Sequence, residues 1–156
     1  MNRARALDVL GTLARVGLAA VWLVSGTLKA VDPDQTFVAV RAYDVLPETG
    51  VELVAAVLPF LEIALGLLLL AGVGTRAVAG LSAVLLLVFV AGVSQAWARG
   101  LSIDCGCFGG GGAVDPGNTA YVQEILRDTG FLAMAAWLIV RPHTVASFDS
   151  RYSGRT

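Results

Sequence analysis

The residues with the most distinctive chemistry are two cysteines, Cys105 and Cys107, which stand one residue apart in the segment SIDCGCFGGGG at 102–112. The chain of 156 residues contains no other cysteine. Two neighbouring thiols can interconvert between dithiol and disulfide, or they can supply two thiolate ligands to a metal ion. A third alternative is a loop whose cysteines do no chemistry. We predict thiol–disulfide chemistry, with Cys105 and Cys107 as the catalytic residues.

A self-contained metal site and a structural disulfide both fit this spacing less well. Tetrahedral zinc needs two further ligands. The one histidine, His143, is expected on the opposite face of the membrane, and Asp104 would need help from a partner chain. A disulfide around a single residue stabilises little, because the stabilisation grows with loop length, whereas strained disulfides are typically labile or catalytic. We therefore expect no metal.

The residues beside the pair are expected to shape its reactivity. Gly106 suits a strained turn because it has no Cβ, and the glycines at 109–112 predict a loop that swings between the membrane and a partner. The negative charge of Asp104 is expected to raise the pKa of the adjacent thiol. Arg99 is the nearest cation along the chain that can offset this effect, and Phe108 completes the segment DCGCFG.

A carboxylate, Glu62, falls near the middle of an apolar stretch, three residues after Pro59. A charge at the bilayer centre is costly unless it is neutralised or paired, and a proline can open a polar pocket in a membrane helix. Arg15 lies at a depth from which it can pair with Glu62, and Gln95 can line a polar opening beneath the cysteines. Two interpretations stay open: a pair that fixes helix register, or an intramembrane proton or quinone site formed by Glu62, Arg15 and Gln95.

The composition is that of an integral membrane protein. Hydrophobic residues make up 56% of the chain and charged residues 15%, against about 45–50% and 25% in soluble domains. Four apolar stretches, at about 9–31, 51–73, 77–98 and 121–140, are each long enough to cross a bilayer as a helix. They predict an all-α membrane protein, an antiparallel four-transmembrane-helix bundle. Nothing in the charge pattern points to nucleic acid.

The membrane domain is expected to cover residues 1–140, followed by a short, polar and disordered cytoplasmic tail at 141–156. The first stretch is expected to remain attached, because Arg15 interrupts it and no clear cleavage site follows. Arginine and lysine are in excess on the side that holds both termini, which predicts cytoplasmic termini and a cysteine loop outside the cytoplasm. Disulfides persist on that side. Lys29, at the outer end of the first stretch, is expected to snorkel to the membrane boundary.

The segments VWLVSGTLKAVDP, LPFLEIALGLLLLAGV and LSIDCGCFG resemble the MauE-like branch of the DoxX-like membrane proteins, over roughly residues 10–140. The resemblance implies a redox-associated bacterial plasma-membrane protein that acts with a thioredoxin-like partner outside the cytoplasm. In methylamine utilisation, such proteins are implicated in maturing the disulfide-rich small subunit of methylamine dehydrogenase. The matching positions are the cysteine segment (Asp104, Cys105, Cys107 and Phe108), the membrane carboxylate Glu62, and the first-stretch residues Ser25, Gly26 and Lys29.

We therefore predict extracytoplasmic thiol–disulfide exchange with a thioredoxin-like protein supplied in trans. A thiolate of that partner attacks the Cys105–Cys107 disulfide, and a quinone docked near Glu62 is a candidate for reoxidising the dithiol. The reverse direction is equally allowed. Two alternatives stay open: a non-enzymatic membrane scaffold for a periplasmic redox protein, and a small proton-coupled transporter that uses Glu62.

Overall fold

The computed structural model describes residues 3–142, 144, 145 and 147, and their side chains from residue 5 onward. His143 and most of the predicted tail lie outside the described residues. The described chain forms five helices and one small hairpin. Their bounds are α1 Arg3–Val31, α2 Pro33–Ala42, α3 Glu48–Ala71, α4 Thr75–Ala98, β1 Ile103–Asp104, β2 Gly112–Ala113 and α5 Tyr121–Val140.

Three helices are long and apolar enough to cross a membrane, over Arg5–Val31, Glu48–Ala71 and Thr75–Ala98. They confirm the first three predicted stretches to within a few residues. Large apolar side chains on their outer faces are exposed, among them Leu13, Leu53, Phe60, Leu81 and Val84. A water-soluble protein rarely exposes apolar surface on this scale, so the chain is a membrane protein.

The fourth predicted stretch is also a helix, because α5 runs over Tyr121–Val140. Its first turns carry three charged residues, Glu124, Arg127 and Asp128. Glu124 and Asp128 are buried inside the bundle, while Val122 and Leu126 on the opposite side of the same turns are exposed. The charged side chains of α5 therefore face inward.

The four long helices pack around a shared apolar core. α1 packs closely on α3, α4 packs closely on α5, and α1 and α5 join the two pairs. Close-packed side chains fill the centre, among them Leu18, Trp22, Leu65, Leu69, Leu86 and Leu138. α3 and α4 contact each other much less, although only a tight turn separates them. A gap is left between these two helices.

The bundle has two chemically different ends. At the turn end, where Gly72 and Gly74 connect α3 to α4, the backbone N–H of Val145 donates to Oγ1 of Thr12 at 2.9 Å. The start of α1 and the residues after α5 therefore share this end. The opposite end, called the cysteine end here, holds Lys29, α2 and the hairpin.

Two elements at the cysteine end were not predicted. Asp32 caps α2 by accepting a hydrogen bond from the Gln35 N–H at 3.1 Å, and Pro33 occupies the first turn, where proline is well tolerated. β1 and β2 pair antiparallel, so the fold is not entirely α-helical. The Tyr121 hydroxyl accepts from the Ile103 N–H at 3.0 Å and donates to the Leu101 carbonyl. The cysteine segment is thereby tied to the start of α5.

Two glycines of the cysteine loop pack closely against α2. Gly106 and Gly111 both have positive φ, and a Cβ built on either would lie 2.7 Å and 2.5 Å, respectively, from the Ala39 Cβ. α2 therefore rests directly on the backbone of the cysteine loop at these two positions. At Gly106 and Gly111, glycine permits close packing and left-handed backbone geometry.

Candidate functional site

A buried ion pair joins α1 to α3 beneath the cysteine loop. The Lys29 Nζ lies 3.1 Å from both carboxylate oxygens of Glu62, and it also donates to the Ser25 Oγ at 2.6 Å. Glu62 is fully buried and Lys29 is 7% exposed. Ser25 and Lys29 are four residues apart, so they share one face of α1. Lys29 therefore points into the bundle, and the prediction that it snorkels outward is wrong.

Gly26 allows α1 to approach α3 at this point. A Cβ at position 26 would lie 2.7 Å from the Pro59 carbonyl oxygen and 3.0 Å from the Glu62 Cβ. No other residue type fits without moving a helix backbone. Within SGTLK, Ser25 thus supplies a hydroxyl group, Gly26 allows the close approach of the helices, and Lys29 supplies a cation, all at the carboxylate of Glu62.

The same ion pair holds the cysteine loop through its backbone. The carbonyl oxygen of Cys107 lies 2.6 Å from the Ser25 Oγ and accepts from the Lys29 Nζ at 3.0 Å. Ser25 also lies 3.0 Å from Oε2 of Glu62. Glu62 is therefore linked to the thiol segment through two side chains of α1, although it does not touch a sulfur atom.

Cys105 is fixed by contacts on all sides. Its N–H donates to Oε1 of Glu124 at 3.3 Å, and its carbonyl accepts from the Tyr43 hydroxyl at 3.1 Å. Its Sγ accepts from the Cys107 N–H at 3.2 Å and faces Nη2 of Arg127 at 3.7 Å. The Arg127 guanidinium stacks on the Phe108 ring at 4.8 Å, which orients the cation.

The two thiols differ in acidity. The hydrogen bond from the Cys107 thiol lowers the pKa of Cys105, and the Cys107 N–H and Arg127 contribute in the same direction against desolvation. The pKa of Cys107 is raised well above its usual range, because its thiol serves as the donor and is buried. Cys105 is therefore the more acidic thiol of the pair, and the thiolate is the nucleophile in exchange chemistry.

Asp104 contributes to the geometry of the turn between the cysteines, and Arg99 pairs with a residue outside the cysteine segment. Oδ1 of Asp104 accepts from the Gly106 N–H at 3.0 Å and so closes the turn between the cysteines. Arg99 pairs with Asp44 at 2.8 Å. The cation next to sulfur is Arg127, which is distant in sequence and arrives through the packing of α5.

Two cavities meet at Cys105. The first, called the apolar cavity, has a volume of about 140 Å³ and lies between α2, α3 and α4. The second, called the polar cleft, has a volume of about 500 Å³ and is lined by Asp104, Cys105, Phe108, Gln123, Glu124 and Arg127 with two small residues. Cys105 lines both, whereas Cys107 lines only the apolar cavity. The more acidic thiol is thus the one that faces the polar side.

One cluster in the polar cleft has the composition of a metal site. The ligand atoms of Asp104, Cys105 and Glu124 lie within 4.8 Å of one another. Oε2 of Glu124 is buried and has no hydrogen-bond partner among the described residues. The guanidinium of Arg127 already provides positive charge at the Cys105 sulfur, and a metal cation there would have to overcome its repulsion. The cluster therefore suits the guanidinium of Arg127 better than a metal ion.

The three residues of the predicted intramembrane site do not come together. Glu62 pairs with Lys29, so the predicted pair with Arg15 is replaced. Arg15 donates to the carbonyls of Leu69 and Leu70 at the turn end, about 10 Å further along α3 than Glu62 at the helical rise per residue. Gln95 donates to the carbonyl of Tyr43 at 3.1 Å. Neither Glu62 nor Gln95 lines the apolar cavity.

Three residues of the site were not foreseen from the sequence: Tyr43, Glu124 and Arg127. The sequence did contain a signal for Glu124 and Arg127. Charged residues interrupt the fourth apolar stretch at positions 124, 127 and 128, and charges within such stretches usually face the interior or a site. Tyr43 had no comparable signal, because its contact depends on how α2 folds over the loop.

Comparison with known proteins identifies the family. The family model described as methylamine utilisation protein MauE matches residues 7–141. The methylamine utilization protein MauE of Paracoccus denitrificans is 37% identical over 100 residues, which cover 62% of this chain and 53% of that protein. The chain thus spans about half the length of that curated relative. No solved structure matches the chain. With a family match over most of its length, the chain belongs to the MauE family of membrane proteins, which is named for methylamine utilisation.

Proposed function

We propose that this protein carries out thiol–disulfide exchange outside the cytoplasm with a thioredoxin-like protein that acts in trans. The observation that supports this most directly is the environment of Cys105. Its sulfur accepts a backbone N–H, faces a guanidinium and borders a polar cleft. Cys105 is 8% exposed, but a cation and a hydrogen-bond donor beside the sulfur are typical of reactive cysteines, whereas structural cysteines have apolar surroundings.

The proposal includes a membrane orientation. It takes α5 as the fourth span, which is supported by charged side chains that face the bundle interior and outer side chains that are apolar, as in other membrane helices with polar residues. Both termini then lie in the cytoplasm and the cysteine end lies outside, in the plasma membrane of a bacterium. The arginine bias toward the turn end supports this orientation.

The exchange proceeds through a mixed disulfide. A thiolate of the partner's dithiol attacks the Cys105 sulfur from the polar cleft, the S–S bond to Cys107 breaks, and the Cys107 sulfur takes up a proton. The partner's second thiol, after losing its proton, attacks the mixed disulfide and releases Cys105 as a thiolate. The partner leaves oxidised and the Cys105–Cys107 pair is reduced, so two electrons are transferred. The reverse sequence uses the same bonds.

Trapping with single-cysteine variants tests this proposal. In cells that carry the native chain, we expect Cys107→Ser to accumulate a mixed disulfide with a thioredoxin-like protein, identified by mass spectrometry, and Cys105→Ser to accumulate none. The purified, oxidised protein should also oxidise reduced thioredoxin, used as a generic probe, and Cys105→Ser should not. If both variants trap nothing and fully complement a deletion, the exchange is excluded and the scaffold function is supported.

The biological context follows from the relatives. The matched family and the Paracoccus denitrificans protein are both named for methylamine utilisation. We propose that the partner of this chain serves the maturation of a disulfide-rich protein, as the resemblance implies for methylamine dehydrogenase. Deletion in a host that grows on methylamine should abolish that growth, and wild-type protein but not Cys105→Ser should restore it.

A further inference from the structure

The apolar cavity has no role in exchange with a water-soluble partner, yet it reaches both thiols. Its inner end is lined by Lys29, Tyr43, Cys105 and Cys107. Apart from Thr36, its remaining wall is apolar, and Val45, Leu46 and Val88 of that wall are exposed. The cavity is therefore a passage from the outer face of the helices to the cysteine pair.

The position of the passage follows from the packing of the helices. Val54 and Leu58 of α3 form one side, and Val88 and Phe89 of α4 form the other. α3 and α4 follow each other in the chain but have few mutual contacts. α2 covers the gap at the cysteine end, where Ala39 packs against the loop. A molecule dissolved in the lipid can enter between α3 and α4 without crossing water.

The size and polarity of the cavity limit its occupant. A cavity of about 150 Å³ accommodates benzene, so the 140 Å³ seen here suits a single six-membered ring. The polar atoms of Lys29 and Tyr43 at the inner end are already hydrogen-bonded to Glu62 and to the loop backbone, so the two thiols are the reactive groups that an occupant meets there. A quinone ring can oxidise these thiols and a saturated acyl chain cannot, and the apolar mouth between two lipid-facing helices suits the apolar tail of a quinone.

We propose that the apolar cavity binds the ring of a lipid-soluble quinone, which oxidises the Cys105–Cys107 dithiol. The Cys107 S–H bond breaks, an S–S bond forms between its sulfur and the Cys105 thiolate, and two electrons pass to the quinone, which takes up the Cys107 proton and one proton from water and leaves as a hydroquinone. This inference rests on the proposed thiol–disulfide function and adds the acceptor and the direction to it: the partner is oxidised in the polar cleft, and the electrons leave through the apolar cavity.

The test uses the reduced full-length protein in quinone-free phosphatidylcholine nanodiscs with decylubiquinone as the probe. We expect one quinone reduced per disulfide formed. Leu58→Trp, which fills the cavity wall, should slow quinone reduction at least tenfold. Val57→Trp, on the exposed face of the same helix, should not. Val88→Trp at the exposed mouth and its neighbour Leu87→Trp form a second pair that places no extra volume in the core.

A water-soluble disulfide separates this inference from the proposed function. Oxidised glutathione reaches Cys105 through the polar cleft, so Leu58→Trp and Val88→Trp should react with it at the wild-type rate. If the wild type exchanges with glutathione but does not reduce decylubiquinone, or if both cavity variants reduce it at the wild-type rate, the quinone site is excluded and exchange stands. If the wild type reacts with neither probe, both proposals fall.

Discussion

Arg15 and Lys29 lie on one helix, are both buried, and each donates to oxygen atoms of α3, but they serve different ends of the molecule. At the turn end, Arg15 donates to the carbonyls of Leu69, Leu70 and Val145 at 2.8, 3.0 and 3.3 Å. Carbonyls in the last turn of a helix lack helical partners, so Arg15 completes the end of α3. Lys29 instead meets a carboxylate and the backbone of a reactive loop.

The two cations differ in the kind of oxygen atom to which they donate. Arg15 donates to main-chain carbonyls, which are present whatever side chain stands at each position. The oxygen atoms around Lys29 include those of the Glu62 and Ser25 side chains, which are present only because these residue types stand at these positions. A buried charge with a side-chain counterion is costly to maintain. Its presence beside the thiols indicates a requirement beyond helix packing.

Removing each cation should give the largest contrast. Lys29→Met leaves the Glu62 carboxylate buried without its cation, and breaking a buried pair costs about 3–5 kcal/mol. Arg15→Met removes charged hydrogen bonds to carbonyls, worth about 1.5–3 kcal/mol. The free energy of unfolding in detergent and the alkylation rate of Cys105 measure the two effects. Only Lys29→Met should change the alkylation rate; an equal change in Arg15→Met would remove the distinction between the two ends.

The double variant Lys29→Met/Glu62→Leu provides the control for this contrast. Replacing a whole buried pair with apolar residues is often neutral in stability, so most of the lost free energy of unfolding should return. Cys105 alkylation should remain altered, because the Cys107 carbonyl still lacks its Lys29 donor. Recovery of both quantities would show that Lys29 acts only by neutralising Glu62.

The close contact between α2 and the loop should give the next largest effect. Gly106 and Gly100 have φ of +67° and +70°, but a Cβ at Gly100 meets nothing within 4 Å. Alanine at either position pays about 1–2 kcal/mol for the left-handed backbone. Gly106→Ala adds overpacking strain of about 1–3 kcal/mol against Ala39. Ala39→Gly should remove the overpacking strain in Gly106→Ala but should not stabilise Gly100→Ala, as measured by thermal unfolding. If Ala39→Gly stabilised Gly100→Ala equally, the effect would not come from the contact between positions 39 and 106.

The pKa of Cys105 should respond to substitutions at the cysteine end and not to substitutions at the turn end. Arg127→Met removes a donor that lowers the pKa of Cys105, so the thiolate fraction below that pKa should fall. The pH profile of alkylation by iodoacetamide should shift to higher pH, so that the reaction is slower on the rising limb of the profile. Above both pKa values the rates should converge. Arg15→Met should leave the profile in place, and an equal shift there would mean that the effect is global.

The exposed ion pair at the cysteine end should matter least. Arg99 and Asp44 are 2.8 Å apart, but their side chains are 43% and 76% exposed. Surface pairs contribute about 0–1 kcal/mol, so Arg99→Ala should change neither the free energy of unfolding nor the alkylation profile by more than that. A large loss of Cys105 reactivity in Arg99→Ala would instead restore Arg99 as the cation that the cysteines depend on.

The hydropathy pattern predicted the long helices well, because apolar length is what a membrane imposes on a chain. It missed α2, since VDPD was interpreted as a break, whereas Asp32 and Pro33 start a short helix. In the site, Cys105, Cys107, Glu62 and the SGTLK segment were identified. Arg127 and Tyr43 were not assigned to it, because their contacts with the loop depend on how α5 and α2 dock. The choice between Arg15 and Lys29 as the partner of Glu62 required the register of α1 on α3, which Gly26 determines.

The anchoring of the Cys107 carbonyl has a consequence for the biosynthesis of the protein. Ser25, Lys29 and Glu62 precede the cysteines in the chain, so the donors that hold the loop are in place as soon as α1 and α3 have inserted side by side. α5, which brings Arg127, follows the cysteines in the chain. We therefore expect a nascent chain to hold its thiols in place before Arg127 can lower the pKa of Cys105.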